Sequence, residues 1–528
     1  RSPRPRERPR PSAAPARRRL PMESVERLLG EAVTMAASAV TAACRPEAGP
    51  GAVPPMRLFE VVVVGRGPGA GCSRGASCSS STSSGDASLE SETEDSDAGP
   101  GAPRTPAGAP GRRGAAAWSG PGTPAEETDE ADPLALLRLA ENSSRISGRA
   151  FRDLAFPPEA ALPPGGGASG SRVECWRRPW EISRHDGQCL EDDAVFGLGL
   201  CGGPPEHQWC LFQPAPCAED VVQGELGDCW FLSALAVLAE ARGGSLARAL
   251  LPGQERVSAA GAYVVRLCLG GRWRSVLVDD RLPCLGGAGF HTQLAFCVTR
   301  RSQLWATVVE KALAKVCGGY GALCGGESGD ALTLLTGWPC EIVRLGEGAD
   351  LEEVWARLRS AREAGFLMTC STMDAGAPSL LPNHVYALLD VCDLGTAEGP
   401  RARLLQIRNP NTRRRWDGAW SDHSPLWTPE LRRQAASLGW RPSSFFMSLA
   451  DFVEHFAHFT VCKHRGASWH QVRRRLSLPG PPASSSQGVP RSGLLLEVGS
   501  EPAEGSIGLL QPEERVRGGP MHASLGQE

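Results

Sequence analysis

The sequence predicts an α+β fold in two lobes, helical before about residue 340 and β-rich after it, behind a long disordered N-terminal region. Two observations predict this: a change of composition near residue 133, and a change of hydrophobic period near residue 340. At 528 residues the chain has ample length for a buried core. Lys and Arg number 56 against 59 Asp and Glu, a net charge of −3, which does not supply the basic excess a nucleic-acid binder needs.

The N-terminal 133 residues are rich in Pro, Gly, Ser and Ala. Arg1–Arg19 reads as a basic tail, Met22–Cys44 as a short helix-like stretch, Cys78–Asp97 as Ser-rich then acidic, and Gly99–Gly122 as Pro/Gly-rich. Such composition buries too little apolar surface to offset chain entropy, so disorder is expected. Val61–Gly71 reads VVVVGRGPGAG and imitates a dinucleotide fingerprint. That chemistry needs a helix directly after the glycines, whereas a Ser-rich stretch follows and Pro68 removes a donor. A glycine-rich linker and no nucleotide are expected.

The globular region then follows element by element. Cys229–Arg242 has a helical period, and Tyr263–Leu269 and Trp273–Val278 form a hairpin about Gly270-Gly271. Leu304–Cys317 is a helix closed by Gly318-Gly319, and Leu351–Ala364 is another. Phe366–Cys370, His384–Val391 and Leu404–Arg408 read as strands. From about Ser477 the chain returns to Pro, Ser and Gly, with a strand-like remnant at Leu494–Val498.

The 18 cysteines are scattered singly, often within apolar runs, and show neither a disulfide framework nor a CxxC pair for zinc. Reduced thiols in a cytoplasmic protein are expected, with no zinc. No apolar run approaches the roughly 18 residues of a membrane span.

The chemistry is concentrated at Gln223–Ala234, QGELGDCWFLSA. Cys229 opens the predicted helix, where the dipole favours thiolate. Gln223, six residues upstream, places an amide so that it and the Cys229 N–H can form an oxyanion hole. A lone cysteine at a helix start is usually just buried. Here His384 opens a strand and Asn409 ends the next one, 155 and 25 positions further on, in the Cys…His…Asn order of papain-like sites. Transglutaminase-like acyl transfer also uses Cys and His, but the Gln223–Cys229 spacing and Asn409 fit proteolysis better.

QGELGDCW, NHVYALLDV, and IRNP followed by WDGAWSD resemble the active-site blocks of the calpain family. The resemblance continues through WRRPWEI, LVDDRLP, LWATVVEKALAK and FFMSLADFVEHF, over roughly residues 142 to 465. SALAVLAE and TVCKHRGASWHQVR most resemble the small-optic-lobes type. The resemblance implies a papain-like protease core with a helical lobe at 142–337, a β-rich lobe at 338–465 and a short segment at 466–528. It also implies N-terminal zinc fingers and a distinctive C-terminal domain, neither of which is complete here, so a fragment or truncated isoform is expected. Carried across, it makes Cys229 the nucleophile, His384 the general base and Asn409 the orienter, with Gln223 in the oxyanion hole. Protein substrates are the implied partners; no regulatory partner can be read.

Departures from the family pattern carry expectations of their own. Asn411-Thr412 stands where the family has Trp-Gly, which would leave the Asn–His bond exposed. Calcium ligands are implied at Asp220 and Asp422, but Gln303 stands where the family has Glu. Arg415, Pro442 and Ser444 occupy positions resembling acidic ligands. Calcium dependence is therefore in doubt. The two open readings are an active endopeptidase and an impaired pseudoprotease acting as a scaffold.

Overall fold

A computed structural model describes residues 57–66, 131–162, 173–182, 209–285, 293–478 and 505–510, apart from loop positions 347, 375–376, 396–400, 413, 441–442 and 467–468. The expectations for Met22–Cys44, Cys78–Gly122, the glycines after Arg66, Pro442 and Leu494–Val498 lie outside these residues.

One N-terminal expectation is corrected. Arg57–Arg66, inside the stretch read as disordered, is a ten-residue strand, β1. It pairs antiparallel with both β15 (Trp469–Leu478) and β16 (Gly505–Leu510). Four consecutive valines favour extended backbone, and the partners that satisfy it come from the far end of the chain.

The first lobe is built on two buried helices, Cys229–Glu240 and Trp305–Cys317, with a more exposed helix before them. Helix α1 (Pro133–Ser147) is capped by Asp132, whose carboxylate accepts from Leu134 N–H. Small antiparallel pairings follow: β2 (Val173–Arg177) with β6 (Leu282–Leu285), β6 with β7 (Gln293–Leu294), and β3 (Val221–Gln223) with β8 (Cys297–Thr299). In helix α2 (Cys229–Glu240), Trp230 through Ala239 are all buried, as expected of a core helix without a polar face. Strands β4 (Ala262–Leu269) and β5 (Arg272–Asp279) form the expected hairpin, with Gly270 and Gly271 both at positive φ.

Helix α3 (Trp305–Cys317) is buried throughout, including Glu310, Lys311 and Lys315. The two lysines are neutralised by Asp279 and Asp153 respectively. Asp280 pairs with Arg178. The LVDDRLP, WRRPWEI and EKALAK wordings thus meet as one buried ion-pair network.

Helix α4 (Ser328–Thr336) ends at left-handed Gly337, φ 71°, where the lobe boundary is expected. The second lobe is a six-stranded antiparallel sheet of order β13-β12-β11-β10-β14-β9. Its strands are β9 (Cys340–Arg344), β10 (Leu367–Thr372), β11 (Val385–Leu394), β12 (Ala402–Arg408), β13 (Ser444–Ser448) and β14 (Phe456–Cys462). Helices α5 (Leu351–Glu363) and α7 (Leu449–His455) pack on this sheet. Helix α6 (Pro429–Ser437) sits with a separate cluster of Trp427, Phe446 and Leu404.

Val385, Ala387, Leu367 and Cys462 of the second lobe belong to the first lobe's core, so the seam is apolar. Hydrogen bonds also cross it: Ser233 Oγ donates to Val385 O at 2.9 Å, and Arg408 Nη2 to Val221 O at 2.7 Å. Thr369 Oγ1 donates to Ser328 Oγ at 2.7 Å.

Candidate active site

Cys229 lies where expected, at the first position of α2. Gly224 in the preceding loop tolerates no other residue without rearrangement, because a Cβ there would stand 2.2 Å from Phe296 O. Glu225 N–H completes this close approach by donating to Ala295 O at 2.9 Å.

His384 immediately precedes β11, after Asn383 at φ 47°, a left-handed conformation that asparagine accepts readily. Thr372 fixes its backbone: Thr372 Oγ1 accepts from His384 N–H at 3.0 Å, and Thr372 N–H donates to His384 O at 3.0 Å. Asn409 follows the last residue of β12. The neighbouring Pro410 O accepts from Gln223 N–H across the seam at 2.9 Å.

His384 Nε2 and Asn409 Oδ1 are 2.8 Å apart. Asn411 N–H also donates to that oxygen, at 2.9 Å, while Asn409 Nδ2 donates to Arg414 O at 2.9 Å. The Asn409 amide is thereby fixed in one orientation. Its oxygen is an acceptor, so His384 carries its proton on Nε2 and presents an Nδ1 lone pair. The expectation of an exposed bond is corrected: His384 is 7% and Asn409 3% exposed. The ring of Tyr386 meets the imidazole in a T-shaped contact, with centroids 5.0 Å apart.

The thiol faces this pair. Val385 N–H, one residue beyond the histidine, points at the Cys229 sulfur, as do the N–H groups of Trp230 and Cys229 itself. No hydrogen bond joins Cys229 to His384 directly among the described residues. The expected lowering of the thiol pKa is also corrected. Burial, and to a lesser degree the Asp228 charge, push Cys229 up to about 11 against its backbone donors. Burial likewise pushes His384 down to about 4, against the Asn409 bond. At neutral pH the resting pair is thiol and imidazole.

Gln223 spends one amide hydrogen on Leu226 O at 2.7 Å, within its own loop. Among the described residues its second amide hydrogen has no recorded acceptor.

Asp228, directly before Cys229, has a partner that sequence reasoning missed. Its carboxyl faces that of Glu310 from α3, both fully buried, and neither finds a well-aligned donor. Two acceptors in contact must share a proton, and burial pushes Asp228 up to about 7 and Glu310 well above its ordinary value. The GDC wording was a signal for an acid at this place, but α3 lies over 80 positions away.

The implied calcium positions hold arginines. Asp220 is fully buried and receives Arg301 Nε at 2.7 Å and Nη2 at 2.6 Å, one nitrogen to each carboxylate oxygen, plus Cys217 N–H at 2.9 Å. Arg301 Nη2 also donates to Ala215 O at 3.0 Å. Gln303 Oε1 accepts from Gln213 N–H at 2.9 Å. In the second lobe Arg415 Nη2 lies 2.9 Å from Asp422 Oδ2 and donates to Ser444 O at 3.0 Å. Ser444 Oγ accepts from Gln406. A hard cation wants six to eight oxygens around it, and these carboxylates are engaged by guanidinium instead.

Comparison with known proteins adds the decisive observation. Residues 151–463, more than half of the chain, match the model of the calpain family cysteine proteases. The chain belongs to the calpain family. It is 32% identical over 350 residues to the calpain-type cysteine protease DEK1 of Arabidopsis thaliana, covering 62% of this chain and 15% of that protein. Calpain-A of Drosophila melanogaster is 30% identical over 337 residues, covering 61% of this chain and 37% of that protein. The calpain-2 catalytic subunit of Mus musculus is 30% identical over 341 residues, covering 61% and 44%. The chain thus spans less than half the length of each of these relatives. No helix among the described residues is long and apolar enough to cross a membrane.

Proposed function

We propose that this calpain-family chain is a cysteine endopeptidase that cuts protein substrates through a thioester acyl-enzyme. The observation that carries the reading is the Asn409–His384 bond, with the next residue's N–H against the Cys229 sulfur. Asn409 holds the Nε2–H tautomer, which leaves Nδ1 to take the thiol proton as sulfur attacks the substrate carbonyl. The developing oxyanion would meet the Cys229 N–H at the start of α2 and the second Gln223 amide hydrogen. The imidazolium then protonates the departing amine, and water hydrolyses the thioester with His384 again as base. A neutral resting pair makes thiol deprotonation part of the attack, not a preceding ionisation.

Calcium is not required in this reading. Arg301 and Arg415 supply the positive charge at Asp220 and Asp422, and the seam bonds of Ser233, Arg408 and Gln223 hold the lobes together. The small-optic-lobes type is the proposed subgroup. A cytoplasmic setting is proposed because every described cysteine is a free thiol. A second reading, an impaired protease acting as a scaffold, draws on the Gln223 amide being turned to Leu226 O.

An epoxide-bearing peptide probe separates the two readings. Labelling confined to Cys229 and lost in His384→Ala supports the enzyme; a chain that resists the probe while its exposed cysteines react with a simple maleimide supports the scaffold.

A further inference from the structure

Two cysteines stand opposite one another beside the hinge between the lobes. Strand β9 opens at Cys340, three residues after Gly337, and β14 closes at Cys462; the antiparallel register pairs the two directly. Lys463 N–H donates to Pro339 O at 3.3 Å just beyond this pair, and Leu345 N–H donates to Ala457 O at 2.8 Å at the other end of the ladder. Hydrogen-bonded and non-hydrogen-bonded positions alternate between those bonds, which puts Cys340 and Cys462 at a non-hydrogen-bonded position. Residues so paired have Cα atoms about 4.5 Å apart and their side chains at closest approach. That lies inside the roughly 4.4–6.8 Å over which a disulfide closes without moving the backbone.

The two thiols are close enough to influence one another electrostatically, and Cys340 Sγ lies 3.9 Å from Trp338 O. Helix α4 of the first lobe touches both: Thr333 Oγ1 lies 3.5 Å from Cys340 Sγ, and Thr336 Oγ1 lies 3.4 Å from Cys462 Sγ. Cys340 is half-buried and Cys462 fully buried. Burial opposes charge on both thiols, and their mutual contact lowers Cys462 while Cys340 is held well above the ordinary range. Cys340 is thus the less buried of the two thiols and Cys462 the more acidic.

We propose that Cys340 and Cys462 form a redox modification site, a dithiol that a peroxide converts to a cross-strand disulfide at the lobe hinge. The less buried Cys340 takes one peroxide oxygen to give a sulfenic acid and water. The Cys462 thiolate attacks the Cys340 sulfur, the S–S bond forms, and the S–O bond breaks to release hydroxide, which is protonated to a second water. Two thiols lose two electrons and two protons, and the peroxide is reduced to two waters. The bond would tie the beginning of the second lobe's sheet to its end and end the thiol contacts with α4. The closed loop contains most of that lobe, so its unfolding temperature should rise by about 5 °C. None of this depends on the protease reading.

The test uses the full chain carrying Cys229→Ala, so that the active-site thiol cannot compete. It is titrated with hydrogen peroxide, blocked with a maleimide, digested without reductant and mapped by mass spectrometry. The expected result is a Cys340–Cys462 linked peptide as the first cross-link to appear, reversed by dithiothreitol and accompanied by the rise in melting temperature. Cys340→Ser in the same background should lose both; Cys462→Ala serves if that variant does not fold. Maleimide on both Cys340 and Cys462 after other cysteines have oxidised would overturn the proposal, as would a linked peptide seen only after denaturation.

Discussion

Replacing Arg301 by alanine uncovers the Asp220 carboxylate, which is fully buried and bonded to two guanidinium nitrogens at 2.6 and 2.7 Å. Breaking a buried pair by removing one partner costs about 3–5 kcal/mol. The Arg301 side chain is 43% exposed, so solvent already screens part of the attraction, and about 2 kcal/mol is the better figure here. Arg301→Ala should therefore lower the melting temperature of the full chain by about 5 °C. The informative step is adding calcium. With the arginine gone, Asp220 is free to take an oxygen-seeking cation, and calcium at about ten times its Kd would return RT ln 11, about 1.4 kcal/mol or about 4 °C. The assay is calorimetric melting of the unmodified chain and of Arg301→Ala, each in millimolar calcium and in chelator. The reasoning predicts no calcium shift in the unmodified chain and a clear one in the variant. An equal shift in both would show that guanidinium does not occupy a cation position.

Other outcomes follow from the same geometry. Iodoacetamide should alkylate Cys229 with a half-point above about pH 9, because burial holds the thiol up at about 11; a half-point below 8 would contradict this. Asn409→Ala frees the imidazole from its fixed tautomer and should cost about 10²-fold or more in kcat/KM with KM little changed, and should lower the melting temperature because it strips buried partners from His384, the Asn411 N–H and the Arg414 carbonyl. Asp228 is held at about 7 in the folded chain, above its unfolded value near 4, so its contribution to stability is complete below about pH 4 and lost as pH rises through about 7. Urea unfolding midpoints should fall over that window, and Glu310→Gln should flatten the fall; a variant as steep as the unmodified chain would show the pair is not proton-sharing.

What the sequence made legible was mostly local. The Cys229 helix, the Gly270-Gly271 hairpin, α3, α5 and the strands flanking His384 and Asn409 fall within a few residues of their predicted bounds, because each carries its own period and its own glycine. Spacing plus wording is what singled out Cys229, His384 and Asn409 as the proposed triad. Of strand β1, the four valines read as an apolar strand, but its length and its partners at residues 469–478 and 505–510 were not legible. The thiol's high pKa was not legible either. A helix N-terminus argues for thiolate, and only the surrounding burial and the Asp228 charge reverse it. Arg301 drew no notice because its partner is 81 positions away, whereas Arg415 was singled out by its place in a motif. The contact of the Tyr386 ring with the imidazole had no signal in the sequence beyond its place two residues past the histidine.

The most direct measurement is cleavage of an unfolded protein substrate by the purified chain in excess chelator, beside Cys229→Ala. The account predicts steady turnover by the unmodified chain, little changed on adding calcium, and none by the variant. Turnover that appears only with calcium, or that persists in Cys229→Ala, would contradict it.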